Sequence, residues 1–304
     1  MAAESEMRNP QSAFRNPKWI DLHTHSTFSD GASTPAALVA EARAAGLAAI
    51  ALTDHDTCDG LAEFLAAGQE QGVETLAGVE VSVEYNARTV HMLGYGIRPG
   101  DEHFRAVLRK LVEGRNERNV QMIRKLQLLG IRIDLEEVKA FATEQIVGRP
   151  HVAQILIQKR VVRTFEEAFD RYLGRGRPAY CERFRFTPEE TIRLIAGAGG
   201  LSVLAHPQYI CASPDALAAL LARLKQAGLA GIEAYYTDHT DEQIRLYLAM
   251  AERFGLLATG GTDYHGVIKP GVALGWGQGS LRIPYALLER LREALEAVQS
   301  KQPG

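Results

Sequence analysis

Short apolar runs alternate with amphipathic stretches along most of this chain, and most of the apolar runs end in polar residues. Residues 47–52 are continuously apolar, which is typical of a strand that is buried on both faces. Signals for a helix start, a hydroxyl residue followed by a proline, occur at residues 34–35 and 187–188. The repeated order of strand, polar cluster and helix predicts βα units.

The repeat predicts six strands and six helices outside the central part of the chain. The predicted strands are residues 19–22, 47–52, 73–79, 200–205, 231–234 and 256–260. The predicted helices are residues 34–46, 61–71, 187–198, 214–227, 240–254 and 284–298. Another apolar run, at residues 89–95, could form a strand beside residues 73–79. This order of elements predicts an α/β fold in which parallel strands form a barrel.

The central region, residues 101–182, breaks the alternation and carries long helical patterns instead. These patterns cover residues 104–129, 135–142, 151–158 and 165–172. We interpret the region as a helical insertion domain that caps the mouth of a discontinuous barrel formed by residues 18–100 and 183–300. Its many arginines and lysines are expected to face water for the most part, as charge runs usually do. Residues 1–17 are expected to form a flexible N-terminal arm.

Length, composition and charge limit the class of protein to which this chain can belong. The 304 residues suffice for one large barrel or two ordinary domains, and a hydrophobic content of 46% supports a sizeable core. A formal net charge of -3 provides no general basic field for nucleic acid. The three cysteines, Cys58, Cys181 and Cys211, show no spacing typical of disulfides or zinc.

The N-terminal residues lack the apolar segment of a signal peptide, and no apolar run approaches the length of a membrane span. We therefore expect a cytoplasmic protein without a membrane partner. The sequence also indicates no obligate protein partner.

Five polar clusters hold most of the histidines together with a matching set of carboxylates. The clusters are residues 21–25 with Asp30, residues 53–56, Glu80 with His91, residues 205–207, and residues 262–265. Most of these residues end predicted strands, and His91 lies near the start of the run at residues 89–95. The C-terminal ends of barrel strands converge on one mouth, so a metal cluster is predicted there. Nine side chains are the candidate ligands: His23, His25, Asp30, His55, Glu80, His91, His206, Asp263 and His265.

The types of ligand indicate the chemistry. His23 and His25 lie two residues apart, which places both imidazoles on one side of an extended chain. Imidazoles and carboxylates without thiolates fit Mn²⁺, Fe²⁺ or Zn²⁺ at a non-structural site. Nine ligands can hold two or three ions that share a carboxylate, and such clusters are suited to phosphoester hydrolysis.

Four further polar residues are not predicted to bind a metal ion. His103 and His239 lie in polar stretches and are expected at the surface. Asp54 and Asp56 could orient a ligand imidazole from behind, and Asp56 could instead cap the next helix.

The motifs DLHTHSTFSDG, ALTDHD, LAHP and GTDYHG, with the glutamate of GVEVS, resemble those of the polymerase and histidinol phosphatase (PHP) family. The resemblance extends over residues 20–271 and implies a distorted seven-stranded (βα)7 TIM-like barrel with a trinuclear metal centre. Mn²⁺ is the first expectation, with Fe²⁺, Zn²⁺ or Mg²⁺ as alternatives. Asp30 stands where some members carry histidine, which bears on the preferred metal.

The resemblance also implies how the ligands divide among three ions. The first ion would be bound by His23, His25, Glu80 and Asp263, the second by Glu80, His91 and His206, and the third by Asp30, His55 and His265. His206, His265 and Asp263 are the candidate catalytic residues.

The chain is most similar to the nucleotide phosphoesterases of the family, which carry a helical insertion in the same place. Arg149-Pro150-His151 matches their Arg-x-His, so Arg149 and His151 are expected to bind a substrate phosphate, with Arg177 as a weaker candidate. Residues 181–184 depart from their usual aromatic-containing stretch.

The leading hypothesis is a phosphatase that removes the 3'-phosphate of nucleoside 3',5'-bisphosphates, such as 3'-phosphoadenosine 5'-phosphate, with a hydroxide that bridges the ions as nucleophile. A second hypothesis is a 5'-3' exonuclease that acts on short 5'-phosphorylated RNA or DNA. A third hypothesis is a metal-binding module without catalytic activity. A fourth is a histidinol phosphate phosphatase, which the large insertion and its Arg149 make less attractive.

Overall fold

Seven strands form one sheet whose spatial order follows the order of the chain. The computed structural model describes residues 18–86, 88–141, 147–211 and 213–300, so the predicted N-terminal arm lies outside the described residues. The strands are β1 Ile20–Asp21, β2 Ala49–Leu52, β3 Glu74–Tyr85, β4 Arg88–Tyr95, β5 Leu201–Leu204, β6 Gly231–Tyr236 and β7 Leu257–Gly261.

The first and last strands approach each other and nearly close the sheet into a barrel. The amide of Leu22 donates to the carbonyl of Gly260 at 3.1 Å, and the amide of Asp263 donates to the carbonyl of His23 at 2.9 Å. β4 is antiparallel to both of its neighbours, whereas the other pairs are parallel. The predicted α/β barrel is confirmed, and the reversed β4 is its main distortion.

The helices of the described residues follow the predicted helix starts closely. They are α1 Pro35–Ala44, α2 Leu61–Gln71, α3 Glu102–Leu128, α4 Leu135–Phe141, α5 Arg149–Gln158, α6 Phe165–Ala168, α7 Pro188–Gly197, α8 Pro214–Gln226, α9 Asp241–Phe254 and α10 Ala286–Gln299. The Thr34 hydroxyl accepts from the amide of Ala37 at 3.2 Å, which caps α1. Thr187 and Glu190 form a capping box at the start of α7.

The long helix α3 contributes to two apolar cores. Leu108 and Leu111, in its first half, pack into the core of the barrel. Met122 and Leu126, in its second half, pack with α5 and with residues up to Cys181 in a separate core. The limits of the insertion at residues 101–182 stay a prediction, because α3 belongs to both cores.

Two expectations about position are wrong. Glu80 lies inside β3, not at a strand end, because β3 continues to Tyr85 in a long antiparallel pair with β4. His239 is only 9% exposed, although its neighbours in sequence are polar. Its imidazole folds back onto the end of β6, where Nδ1 lies 2.9 Å from the carbonyl oxygen of Ala234.

Within the described residues, no helix has both the length and the apolar character that crossing a membrane requires.

Candidate metal centre

The nine predicted ligands, which we call the ligand cluster, come together at one end of the barrel. They are contributed by the segments after β1, β2, β5 and β7, by β3 and β4 themselves, and by the loop before α1. The antiparallel pairing of β3 with β4 brings His91 beside the strand that carries Glu80. Polar residues that are far apart in the chain therefore share one site because the sheet closes on itself.

Glu80 occupies the centre of the ligand cluster and is almost completely buried. Its Oε2 faces three imidazole nitrogens and its Oε1 faces two more. The distances from Oε2 are 3.2 Å to His23 Nε2, 3.3 Å to His25 Nε2 and 3.0 Å to His55 Nδ1. The distances from Oε1 are 3.0 Å to His91 Nδ1 and 3.0 Å to His206 Nε2. One carboxylate with both oxygens among imidazoles is suited to bridge ions.

Three subsets of the ligand cluster each have ligand atoms within 4.8 Å of one another. They are His23, His25, Glu80 and Asp263; His25, Asp30, His55 and His265; and His55, Glu80 and His91. The first subset has the composition expected for the first ion, and the second contains the expected third set together with His25. His206 Nε2 lies 3.4 Å from His91 Nδ1, so it adjoins the last subset.

Several buried atoms of the ligand cluster lie close to one another but form no hydrogen bond with any described residue. They are His23 Nε2, His25 Nε2, His55 Nδ1 and Glu80 Oε2. A buried polar atom without a partner costs about 1–3 kcal/mol, so native structures rarely leave such atoms unsatisfied. Bound cations would satisfy all of them at once, and the donor set fits divalent metal ions.

The imidazoles also keep the carboxylates of the cluster ionised. Burial raises the pKa of Asp263, but the nearby imidazoles of His23 and His25 outweigh it and hold this pKa well below its ordinary value. Asp30 shows the same balance, with His55 and His265 lowering its pKa against the effect of burial. Both side chains are therefore carboxylates at neutral pH, the form that binds cations.

Glu233 on β6, which is not among the residues predicted from the sequence, contacts two residues of the ligand cluster. Its Oε1 lies 2.9 Å from His23 Nδ1, and its Oε2 accepts from the amide of His206 at 2.7 Å. A proton on Nδ1 of His23 would bond to Glu233 and leave Nε2, which faces Glu80, with a free lone pair that can bind a metal ion. The signal in the sequence is a glutamate inside the otherwise largely apolar run Gly231–Tyr236, and the structure shows that this glutamate is fully buried.

Asp263 is held by two residues outside the ligand cluster. Its Oδ1 lies 3.1 Å from His25 Nε2, while its Oδ2 accepts from the Tyr236 hydroxyl at 2.9 Å and from Lys269 Nζ at 2.8 Å. Asp263 has φ of +57° and His206 has φ of +25°, conformations that non-glycine residues seldom adopt. Such strain is common at functional sites, where the surrounding structure maintains it.

Close backbone approach around the first two histidines requires glycine. A Cβ on Gly261 would lie 2.1 Å from the Cβ of His23, and one on Gly31 would lie 2.2 Å from the carbonyl oxygen of His25. Side chains at these two positions would displace the ligands.

Asp54 and Asp56 make contacts that differ from the expected ones. The hydroxyl of Ser29 donates to Asp54 Oδ1 at 2.5 Å, and the same Ser29 Oγ lies 3.4 Å from His25 Nδ1. Asp54 is therefore linked to the imidazole of His25 through Ser29. Asp56 pairs with Arg115 and accepts from the amide of Ser82 at 2.6 Å. It does not cap α2, whose N-cap is Gly60.

A cavity of about 300 Å³, which we call the arginine cavity, borders the ligand cluster at Asp30, His55 and His91. Arg149 and His151 line it at the start of α5, whereas Arg177 is exposed and is not among the lining residues. The cavity is also lined by Arg115, Arg118, Arg183 and Arg185.

The expectation that the arginines of the insertion face water is wrong for Arg115 and Arg118, which are 5% and 6% exposed. They lie three residues apart, on the face of α3 that covers the barrel mouth. Burial and the neighbouring guanidinium groups lower the pKa of Arg118 to about 10 and that of Arg183 to about 9. Both remain protonated at neutral pH, so the cavity concentrates positive charge.

Residues 21–174 match the PHP domain family. The chain belongs to the PHP family. It is 36% identical over 247 residues to a 3',5'-nucleoside bisphosphate phosphatase of Chromobacterium violaceum, covering 81% of this chain and 87% of that protein. It is 33% identical over 248 residues to a 5'-3' exoribonuclease of Haemophilus influenzae, covering 82% and 90%.

A solved structure of an amidohydrolase from Chromobacterium violaceum, with bound sulfate and no metal, superimposes with a TM-score of 0.76. The two chains are 34% identical, and the match covers 92% of this chain and 96% of the other. The family resemblance stated from the motifs is confirmed. The PHP protein described here is a metal-dependent phosphoesterase.

Proposed function

We propose that this PHP protein removes the 3'-phosphate of nucleoside 3',5'-bisphosphates, such as 3'-phosphoadenosine 5'-phosphate. The observation that carries the proposal is the position of the arginine cavity directly beside the ligand cluster. A substrate with two phosphates needs two anion sites a short distance apart. The relative from Chromobacterium violaceum, named for this reaction, supports the same substrate class.

The ligand cluster would hold three divalent ions, with Mn²⁺ the first candidate. His23, His25, Glu80 and Asp263 would bind the first, Glu80, His91 and His206 the second, and Asp30, His55 and His265 the third. Bound divalent ions lower the pKa of water and neutralise the charge on phosphoryl oxygens. His206, His265 and Asp263 border the position of the transferred phosphate in this proposal.

The positive charges in the arginine cavity favour binding of the second phosphate of the substrate. Arg115 pairs with Asp56, and Arg185 pairs with Glu84. Among the described residues, the other three arginines of the cavity form no ion pair with a carboxylate; they are Arg118, Arg149 and Arg183. Arg118 is buried, and Arg149 and Arg183 are partly buried. An anion stabilises guanidinium groups that are shielded from water, and the planar guanidinium can bind phosphate through two hydrogen bonds.

Aromatic rings position Arg149. Its guanidinium carbon lies 5.6 Å from the ring centroid of Phe169 and 5.8 Å from that of Tyr180. These contacts limit the rotamers of the side chain before substrate arrives, which lowers the entropic cost of binding. Arg149 and His151 would therefore bind the 5'-phosphate while the 3'-phosphate lies at the ligand cluster.

The test is phosphate release by protein reconstituted with Mn²⁺ and supplied with adenosine 3',5'-bisphosphate, adenosine 3'-phosphate and adenosine 5'-phosphate. We expect the highest kcat/KM for the bisphosphate, with adenosine 5'-phosphate as product. Absence of phosphate release from the bisphosphate would contradict the proposal.

A second candidate function is 5'-3' exonucleolytic cleavage of short 5'-phosphorylated RNA or DNA. The similarity to the exoribonuclease of Haemophilus influenzae favours it, and the arginine cavity would then hold the 5'-terminal phosphate. Incubation with a 5'-phosphorylated trinucleotide distinguishes the two functions, since an exonuclease releases mononucleotides stepwise. A kcat/KM for the trinucleotide above that for the bisphosphate would favour this function.

A further inference from the structure

A second cavity borders the ligand cluster, and its lining is largely apolar. It encloses about 270 Å³, and Phe28, Cys58, Leu108 and Val112 provide apolar walls. Polar residues also line it, including Thr57, Arg109 and Glu113. His55 lines both this cavity and the arginine cavity, so the two spaces adjoin the same candidate ligand. We call the second space the apolar cavity.

One face of α3 covers both cavities. Leu108 and Val112 lie over the apolar cavity, and Arg115 and Arg118 lie over the arginine cavity. Spacings of three and four residues keep these four side chains on the same side of the helix. The ion pair between Asp56 and Arg115 lies at the change from apolar to basic lining.

The apolar cavity is also closed on the side of the β2–α2 loop. Arg105 Nη2 lies 2.7 Å from Asp59 Oδ1, and this ion pair joins α3 to the loop. Cys58 and Leu108 are 6% and 2% exposed, so buried apolar side chains form the inner wall. A flat, mostly apolar ligand would gain more from this space than a charged one would.

The three substituents of the ribose in a nucleoside bisphosphate point in different directions. In the proposed function, the 3'-phosphate lies at the ligand cluster and the 5'-phosphate lies in the arginine cavity. The base then needs a third site that adjoins the other two. We propose that the apolar cavity binds the nucleobase of the substrate, with the ring of Phe28 as its aromatic contact.

This assignment rests on the proposed function and adds a site that selects nucleotides over other phosphate esters. The arginine cavity recognises charge alone, and sugar phosphates carry the same charge. Contact between a base and an aromatic ring contributes about 1–3 kcal/mol to binding. The apolar cavity would therefore distinguish a nucleotide from a sugar bisphosphate.

The variant Val112→Phe tests the assignment, because the larger side chain fills the apolar cavity from α3. Val120→Phe is the matched control, since Val120 lies on the same helix, is 52% exposed and lines neither cavity. The substrates are adenosine 3',5'-bisphosphate and 1,4-anhydroribitol 3,5-bisphosphate, which has the same phosphates and no base.

We expect Val112→Phe to raise KM for the adenosine compound about ten-fold, a change equivalent to about 1.4 kcal/mol, and to leave KM for the baseless compound within about two-fold. Val120→Phe should change neither KM. Equal effects of Val112→Phe on the two substrates, or no effect on either, would overturn the assignment of the base.

A binding measurement separates this inference from the proposed reaction. Isothermal titration with adenosine 5'-phosphate and 1,4-anhydroribitol 5-phosphate requires no turnover. We expect the base to increase affinity about ten-fold in the original protein and in Val120→Phe, and to give no increase in Val112→Phe. Equal affinity of the original protein for the two ligands would overturn the inference, whether or not phosphate release is found.

Discussion

Glu80 gives the ligand cluster its compact form, because both of its oxygens face imidazoles while its side chain is fully surrounded by protein. Glu233 acts one step further out, where it fixes the orientation of His23 and the backbone of His206. At the scale of single residues, the site therefore consists of candidate ligands and of the groups that orient them. Substitution of a ligand should affect chemistry more than folding, because each removes one contact from a large network.

Asp263→Asn should reduce kcat by at least about 100-fold with little change in the midpoint of thermal unfolding. The substitution removes the negative charge near His25 but keeps the size of the side chain and one oxygen for Lys269. Steady-state kinetics at saturating Mn²⁺ and thermal unfolding of the same preparation provide the two readouts. An unchanged kcat would show that Asp263 is not a required ligand.

Arg149→Ala should raise KM for adenosine 3',5'-bisphosphate by about 10- to 100-fold, with a smaller effect on kcat. A hydrogen bond to a charged group contributes about 1.5–3 kcal/mol, and this arginine lacks a carboxylate partner among the described residues. Arg175→Ala is a suitable control, because Arg175 is exposed and is not among the residues that line the cavity. If both variants gave the KM of the original protein, the arginine cavity would not bind the second phosphate.

At the scale of elements, helix ends contribute to stability independently of the site. α7 begins with a capping box in which Thr187 Oγ1 accepts from the amide of Glu190, and the helix packs its buried residues Ile192 and Ile195 against the barrel. Because α7 contributes no residue to the ligand cluster or to the two cavities, its cap affects folding alone.

Thr187→Ala should lower the free energy of unfolding by about 1 kcal/mol while leaving KM and kcat unchanged. The substitution removes the hydroxyl that accepts a hydrogen bond from the Glu190 amide, so this amide loses its side-chain partner at the start of the helix. Urea unfolding monitored by circular dichroism measures the first quantity, with Thr187→Ser as the conservative control. Altered kinetics in Thr187→Ala would indicate that α7 is coupled to the site.

At the scale of the whole molecule, the nearly closed barrel brings Glu80 on β3 and His91 on β4 together with residues that follow β1, β2, β5 and β7 in one cluster of ionisable groups. Removal of divalent ions should therefore destabilise the fold as well as abolish activity. At a metal concentration 100 times the dissociation constant, binding to the folded state alone contributes about 2.7 kcal/mol. This contribution is lost when the buried imidazole nitrogens and Glu80 Oε2 have no cation.

Treatment with a chelator should lower the midpoint of thermal unfolding, and addition of Mn²⁺ should restore both this midpoint and phosphate release. Differential scanning calorimetry with and without EDTA measures the change, and Mg²⁺ at equal concentration tests the preference for metal. An equal unfolding midpoint with and without chelator would argue against a metal cluster at this site.

Local patterns predicted most of the barrel elements, and the nine candidate ligands that they indicated lie close together in the structure. The apolar run at residues 47–52 became β2, and the hydroxyl and proline at residues 34–35 and 187–188 mark the starts of α1 and α7. Such features depend on neighbouring residues, so the sequence suffices to identify them. The family motifs are also contiguous in the sequence, and most of them lie at the ends of these elements, whereas GVEVS lies inside β3.

Other features depend on which elements meet, and the linear pattern does not contain that information. Arg115 and Arg118 were expected at the surface, but α3 lies over the barrel mouth and buries them. His239 was expected to be exposed, yet the turn after β6 folds its ring inward. Burial depends on surfaces contributed from distant parts of the chain, so charge and polarity alone mispredicted these positions.

The sequence by itself determined the α/β class, the order of the elements and a set of nine side chains suited to divalent metals, because periodicity, caps and ligand types are local properties. Only the tertiary structure decided that Glu80 lies at the centre of the imidazoles and that Glu233 contacts the imidazole of His23 and the backbone amide of His206. It also decided that α3 lines both the arginine cavity and the apolar cavity. The physical reason is that these relationships arise when the sheet closes and a long helix crosses its mouth, which joins residues that are far apart along the chain.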